Sequence, residues 1–214
     1  MREVEAAIAA LRRGALAILP TDTVYGLAAD AEHEAAARAL YAAKGRDTIR
    51  PTAILFASLE ALVERVPELG GRALDAARAL LPGPLTLVVP NPGHRYPWLN
   101  ADRPDALGVR VPALAGPVRA ILEECGGLVA TSANLPGGPD PRQLDEVPPE
   151  LLAAVAATVD GGRLPGTPST VVDLTGTEPA ILREGAVPAD DVLARLTGTS
   201  STGRLPRMAR APRP

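Results

Sequence analysis

The chain has 214 residues, of which 46% are hydrophobic and 22% charged, with a formal net charge of −3, a balance that suits one globular domain with a full core and leaves two independent domains cramped. No apolar run reaches the roughly 18 residues of a membrane span, and Met1-Arg2-Glu3-Val4-Glu5 lacks the basic start and apolar centre of a secretory signal, so a soluble cytoplasmic protein is expected. The single cysteine, Cys125, excludes an intrachain disulfide and a cysteine-rich metal site, and the two histidines, His33 and His94, poorly supply metal centres and catalytic triads.

Val4, Ile8 and Leu11 recur at helical spacing up to Gly14, and Ala15-Leu16-Ala17-Ile18-Leu19-Pro20 follows as a short buried strand. Glu34 to Ala43 is predicted as a second helix with Leu40 on its inner face. Ala53 to Ala57 reads as a strand, followed by a helix that Ser58 opens as N-cap and that runs through Leu62 and Val63. A further helix, Arg72 to Leu81, stops at Pro82-Gly83-Pro84. Leu85 to Val89 and Leu107 to Val111 read as strands flanking a surface loop that bears prolines, aromatics and asparagines. Gly116-Pro117 opens a helix carrying Val118, Ile121 and Leu122 on one face, with Cys125 at its end, and Gly126-Gly127 stop it before the strand Leu128 to Thr131. A helix over Leu151 to Ala157 and the strands Thr170 to Leu174 and Ala180 to Arg183 complete an α/β alternation. The expected domain spans residues 1–197. Residues 198–214, with Arg204, Arg207, Arg210 and Arg213 and no acidic residue, read as a disordered basic tail, either simply solvated or in weak electrostatic contact with RNA.

Lys44 is the only lysine; the other basic residues are all arginine. Its compact ammonium differs from the planar guanidinium fork wherever a charge must enter a confined site, as beside a phosphoryl group. Cys125, preceded by Glu123 and Glu124, is poorly placed to form a thiolate nucleophile. Chemistry must therefore rest on charges and hydroxyls. Four segments carry such groups at strand ends, where open α/β sheets place ligands: Pro20-Thr21-Asp22-Thr23-Val24-Tyr25-Gly26-Leu27, Lys44-Gly45-Arg46, Thr131-Ser132-Ala133-Asn134 and Pro168-Ser169-Thr170. Hydroxyls and exposed amides there, with Arg46, Arg110 and Arg183, suit anionic ligands. Each segment alone is equally a turn, a loop or a paired surface charge.

Taken in order, Pro-Thr-Asp-Thr-Val-Tyr-Gly-Leu, Lys-Gly-Arg, Leu-Pro-Gly-Pro-Leu-Thr-Leu-Val, Val-Arg-Val-Pro, Thr-Ser-Ala-Asn, Ser-Thr-Val-Val-Asp and Ile-Leu-Arg resemble the YrdC/YwlC family of L-threonylcarbamoyladenylate synthases from about Gly14 to Gly185. The resemblance implies an α/β fold with an open, twisted mixed sheet and helices around a large concave cavity. It also implies an ATP-dependent reaction with Mg2+ as the companion ion. L-threonine and bicarbonate give an N-carboxylated amino acid that attacks the α-phosphate, and pyrophosphate leaves. The product would pass to a partner transferase that modifies tRNA. No Walker-type phosphate loop is present, so ATP binding would follow another design.

By motif position the resemblance implies threonine contacts from Thr23, Arg110, Ser132 and Ser169, and an ATP site lined by Arg46, Arg50, Ala130, Asn134, Asp140 and Arg183. Lys44 and Arg46 would flank the reacting phosphate. No general base is assigned, since an N-carboxylated amine already carries its nucleophilic oxygen. Leu55, Arg50, Ala106, Asp140 and Glu184 depart from the family pattern, and they leave the acceptor open between threonine and another carbamoyl acceptor. A double-stranded RNA-binding module is the alternative from a different class. The net negative charge and an aromatic content of 2% speak against it as the main role.

Overall fold

The computed structural model describes residues 2–45, 52–100 and 103–198. Its helices are α1 (Arg2–Arg12), α2 (Glu34–Ala43), α3 (Leu59–Arg65), α4 (Gly71–Leu80), α5 (Pro117–Cys125), α6 (Pro149–Ala154) and α7 (Ala189–Thr197). The strands are β1 (Ala17–Pro20), β2 (Tyr25–Asp30), β3 (Ala53–Leu55), β4 (Leu85–Pro90), β5 (Ala106–Arg110), β6 (Leu128–Ser132), β7 (Ala157–Thr158), β8 (Thr170–Asp173) and β9 (Ala180–Arg183). Among the described residues they form one open nine-stranded sheet in the order β7-β1-β2-β6-β3-β5-β4-β8-β9. Pairing is mixed: β3 runs parallel to β5 and antiparallel to β6, and β4 runs antiparallel to β5 and parallel to β8.

Alternate side chains of a strand point to opposite faces, and here they fall into two separate cores. Ile18, Leu27, Ile54, Leu87, Val109, Val129 and Val172 join α2, α3, α4 and α7 in one cluster. Ala17, Leu19, Ala28, Leu55 and Leu128 join α1 and α5 in the other. The second cluster covers only part of its face. Beyond it the same face carries Gly26, Ala53, Thr86, Val88, Gly108, Arg110, Ala130 and Val171, which line a cavity.

Several expectations change. Tyr25–Asp30, of which only Tyr25 to Leu27 were read, as the end of a ligand-binding segment, is a fully buried strand. The stretch between β4 and β5, read as a surface loop, is anchored: Asn91 is 3% and Leu99 0% exposed. The Asn91 side-chain amide donates to the carbonyls of Arg95 (3.0 Å) and Pro104 (2.9 Å), and the Trp98 indole N–H donates to Ala31 O (3.2 Å). The helix expected over Leu151 to Ala157 ends at Ala154, and Ala157 instead pairs with Ala17 at the sheet edge. Helix α7 lies within the expected domain but went unread. Apart from Gly198, the basic tail lies outside the described residues.

Candidate active site

The cavity of about 450 Å3 lies over the uncovered half of the sheet, in the range typical of small-ligand sites. Small residues make its floor, and at Gly108 the reason is local: a Cβ there would stand 2.5 Å from Thr52 O, just before the neighbouring strand β3.

At one end stands Arg110, the last residue of β5, 8% exposed. Its Nη2 donates to Asp22 Oδ1 and to Thr23 Oγ1, the latter at 3.0 Å. The turn that presents these partners is organised by Thr21, whose hydroxyl donates to Val24 O (2.7 Å) and accepts from the N–H groups of Thr23 and Val24. Burial lowers the pKa of the Arg110 guanidinium, Asp22 opposes that shift, and Arg183 adds a like charge that reinforces it. The Nε of Arg110 is buried without a hydrogen-bond partner, an uncompensated donor that an incoming ligand oxygen would relieve.

Ser169 and Arg183 form the adjoining wall. The Ser169 hydroxyl lies 2.9 Å from that of Thr86, and Arg183 donates through Nε and Nη2 to Ser169 O at 3.2 and 2.8 Å. Buried Thr170 holds this corner by donating to Val187 O and accepting from the N–H groups of Gly185 and Val187. Gly185 itself has no room for a side chain, since a Cβ would run into Pro168 O. A bulge at Val171/Val172 breaks the register opposite β9, and Leu182, 56% exposed, lines the cavity mouth there.

Lys44 closes α2 and is fully buried. Its Nζ donates to Ser132 O (2.7 Å), Asn134 Oδ1 (2.8 Å) and Asn134 O. Asn134 Oδ1 also accepts from the Ser132 hydroxyl at 2.8 Å, and Asn134 Nδ2 donates to Gly138 O at 2.7 Å. The ammonium therefore binds the β6 turn from behind.

Of the residues singled out from sequence, Thr23, Arg110, Ala130, Ser132, Asp140, Ser169 and Arg183 line the cavity together. Lys44 and Asn134 stand behind Ser132 rather than on the wall, and Arg46 and Arg50 lie outside the described residues. Leu55 lines the cavity beside Arg110, its register neighbour, whereas Ala106 is fully buried at the start of β5 and is not part of the cavity wall. Glu184 accepts from the first N–H of α7 at 3.0 Å, a capping role rather than a ligand contact. Sequence reasoning missed Thr86, Asn100 and Arg103, which also line the cavity. Arg103 donates to Asp173 Oδ2 (3.1 Å) and Thr175 Oγ1 (3.0 Å). Burial alone would raise the Asp173 carboxyl; hydrogen bonds from Thr175, with Arg103 beside it, bring it below its usual range. Polar residues in a segment joining two neighbouring strands were the signal available for Asn100 and Arg103. No group of three or more His, Cys, Asp or Glu side chains among the described residues could hold a metal ion.

An open mixed sheet whose uncovered face gathers Arg103, Arg110 and Arg183 with a row of hydroxyls defines an α/β protein with a cavity chemically suited to small anionic ligands. The chain belongs to the Sua5/YciO/YrdC family, described as "Telomere recombination", whose profile matches residues 9–185. It is 36% identical over 183 residues to the threonylcarbamoyl-AMP synthase of Pyrococcus abyssi, covering 85% of this chain and 54% of that protein. The Xanthomonas campestris threonylcarbamoyl-AMP synthase is 35% identical over 163 residues, covering 74% of this chain and 86% of the relative. The crystal structure of P. abyssi Sua5 complexed with L-threonine superposes with a TM-score of 0.78 at 33% identity, covering 92% of this chain and 57% of that one. The chain thus spans little more than half the length of the P. abyssi protein.

Proposed function

We propose that the chain makes L-threonylcarbamoyl-AMP from L-threonine, bicarbonate and ATP. The observation that carries this reading is the convergence of Thr23, Arg110, Ser132, Ser169 and Arg183 on one cavity, in a chain whose relatives are named for that product. The buried Arg110 receives the amino-acid carboxylate, for which a guanidinium is suited. Threonine nitrogen and bicarbonate combine to an N-carboxylate with loss of water. One oxygen of that carboxylate attacks the α-phosphorus of ATP, and the bond to the β-phosphate oxygen breaks, releasing pyrophosphate. The reacting groups are all anionic, so fixed positive charge in a confined site lowers the barrier. Arg183 supplies it, and Arg46 follows Lys44 by two residues in the sequence. Lys44 holds Ser132 and Asn134 in the geometry that meets the ligand.

ATP brings Mg2+ as its complex, and Asp140, the carboxylate on the cavity wall, fits the one- or two-carboxylate pattern by which proteins hold magnesium alongside substrate phosphates. The product serves a tRNA threonylcarbamoyl transferase, which suits a cytoplasmic site of action. Leu55 beside Arg110 supports a second reading, in which another carbamoyl acceptor replaces threonine. Pyrophosphate release from ATP and Mg2+, with L-threonine and bicarbonate omitted singly, tests both. Dependence on the two together, lost in Lys44→Arg, is expected; release stimulated equally without threonine sinks the threonine reading.

A further inference from the structure

Arg110 is not held by the groups that line the cavity alone. Asp22 sits behind it, outside the cavity wall, with the side chains of the pair each 9% exposed. Both carboxylate oxygens are used: Oδ1 accepts from Arg110 Nη2, and Oδ2 accepts from the Ala113 N–H at 2.9 Å. One side chain thus ties the 21–24 turn, which carries Thr23, to the end of β5 and the segment after it, which carry Arg110 and Ala113. Anchoring Nη2 from behind fixes the guanidinium plane and leaves its other nitrogens for a ligand. A long side chain held at one end by a buried, doubly bonded carboxylate loses its rotamer freedom before the ligand arrives, so binding does not have to supply that ordering.

Resting on the reading of Arg110 as the amino-acid carboxylate site, we infer that Asp22 is the positioning residue that sets affinity for the amino-acid substrate without touching it. The isosteric Asp22→Asn keeps an acceptor for the Ala113 N–H but removes the charge facing Arg110, and Asp22→Ala removes both. The consequence is selective. Michaelis constants for L-threonine and for ATP, with kcat at saturating threonine, separate a positioning role from a loss of folded protein. The expected result is a threonine KM raised roughly 10- to 100-fold in Asp22→Asn and further in Asp22→Ala, with ATP KM and kcat within about threefold of wild type. Circular dichroism of both variants establishes that they fold. An unchanged threonine KM in folded Asp22→Asn, or equal rises in the threonine and ATP constants, overturns the inference. Arg110→Ala in the same assay tests the foundation separately: if it too leaves threonine KM unchanged, the assignment of the carboxylate site itself fails.

Discussion

The two faces of the sheet come from the same strands and differ in what they need to be stable. On one, large aliphatic residues such as Ile54, Leu87, Val109 and Val172 pack against helices and are fully buried. On the other, α1 and α5 cover only one part, and small residues and polar networks line the remainder. The closed face is held by burial, which is nondirectional and tolerates exchange of one apolar group for another of similar size. The open face buries Arg110, and Lys44 is buried at the end of α2 against the turn after β6 that borders that face; each is accommodated only because specific acceptors surround it. Stability is concentrated on one side of the sheet and binding capacity on the other.

The sharpest way to break this comparison is at Lys44. Lys44→Met retains bulk but removes the ammonium that donates to Ser132 O, Asn134 O and Asn134 Oδ1, leaving only the Ser132 hydroxyl on Asn134 Oδ1. We expect pyrophosphate release to fall by on the order of 10² to 10³, with a stability loss of about 2–4 kcal/mol in urea unfolding. A variant that turns over at the wild-type rate would show that the ammonium is a bystander. Adjacent residues in β4 give the next test. Leu87 is fully buried in the closed face, whereas Val88 is half-buried on the cavity floor. Leu87→Ala should cost about 2–5 kcal/mol with substrate KM values preserved, and Val88→Ala less than about 1.5 kcal/mol with the change appearing in KM instead. Equal stability losses at the two positions would erase the distinction between the faces. Smaller again is Ser58, whose hydroxyl accepts from the Ala61 N–H at 3.2 Å at the start of α3; Ser58→Ala should lower stability by about 1 kcal/mol and leave kinetics unaltered.

Local signals explain which parts were legible in the sequence. The helical period of α2 and its end before Lys44, the Ser58 cap and the Gly126 stop are short-range patterns, and the structure places elements at each. Strand β2 was harder: Tyr25-Gly26-Leu27-Ala28-Ala29-Asp30 is buried on both faces, so it shows no polar alternation, and its glycine and alanines carry little strand propensity. The loop before β5 was misread because its anchoring depends on single side-chain bonds, such as those of Asn91, that composition does not reveal. At the site, motifs delivered the wall residues but not their wiring. Asp22 and Arg110 are 88 residues apart, and the pairing of β3 with β5 and β6, and of β6 with β2, brings the turn before β2 and the end of β5 to one sheet.

Cys125 offers the mildest test, and one in which the partly covered face is probed by titration rather than by mutation of the cavity. It ends α5 and packs against the cluster formed with α1. Burial pushes its thiol from an ordinary value of 9.0 up to about 11, with Asp30 adding to the shift. The fold therefore favours the neutral thiol. Its contribution to stability is whole below about pH 9, where unfolded and folded chains both carry the proton, and is lost as pH rises through about 11, because the unfolded thiol ionises first. Between those values wild type should lose stability more steeply than Cys125→Ser, a difference that removes the tyrosine contributions common to both. Iodoacetamide at pH 8 should label the folded thiol roughly 10- to 100-fold more slowly than a cysteine in a short peptide, the small thiolate fraction being partly offset by its greater nucleophilicity. Labelling at the peptide rate would mean that α5 separates readily from α1, and the covered part of this face would then be as open as the cavity beside it.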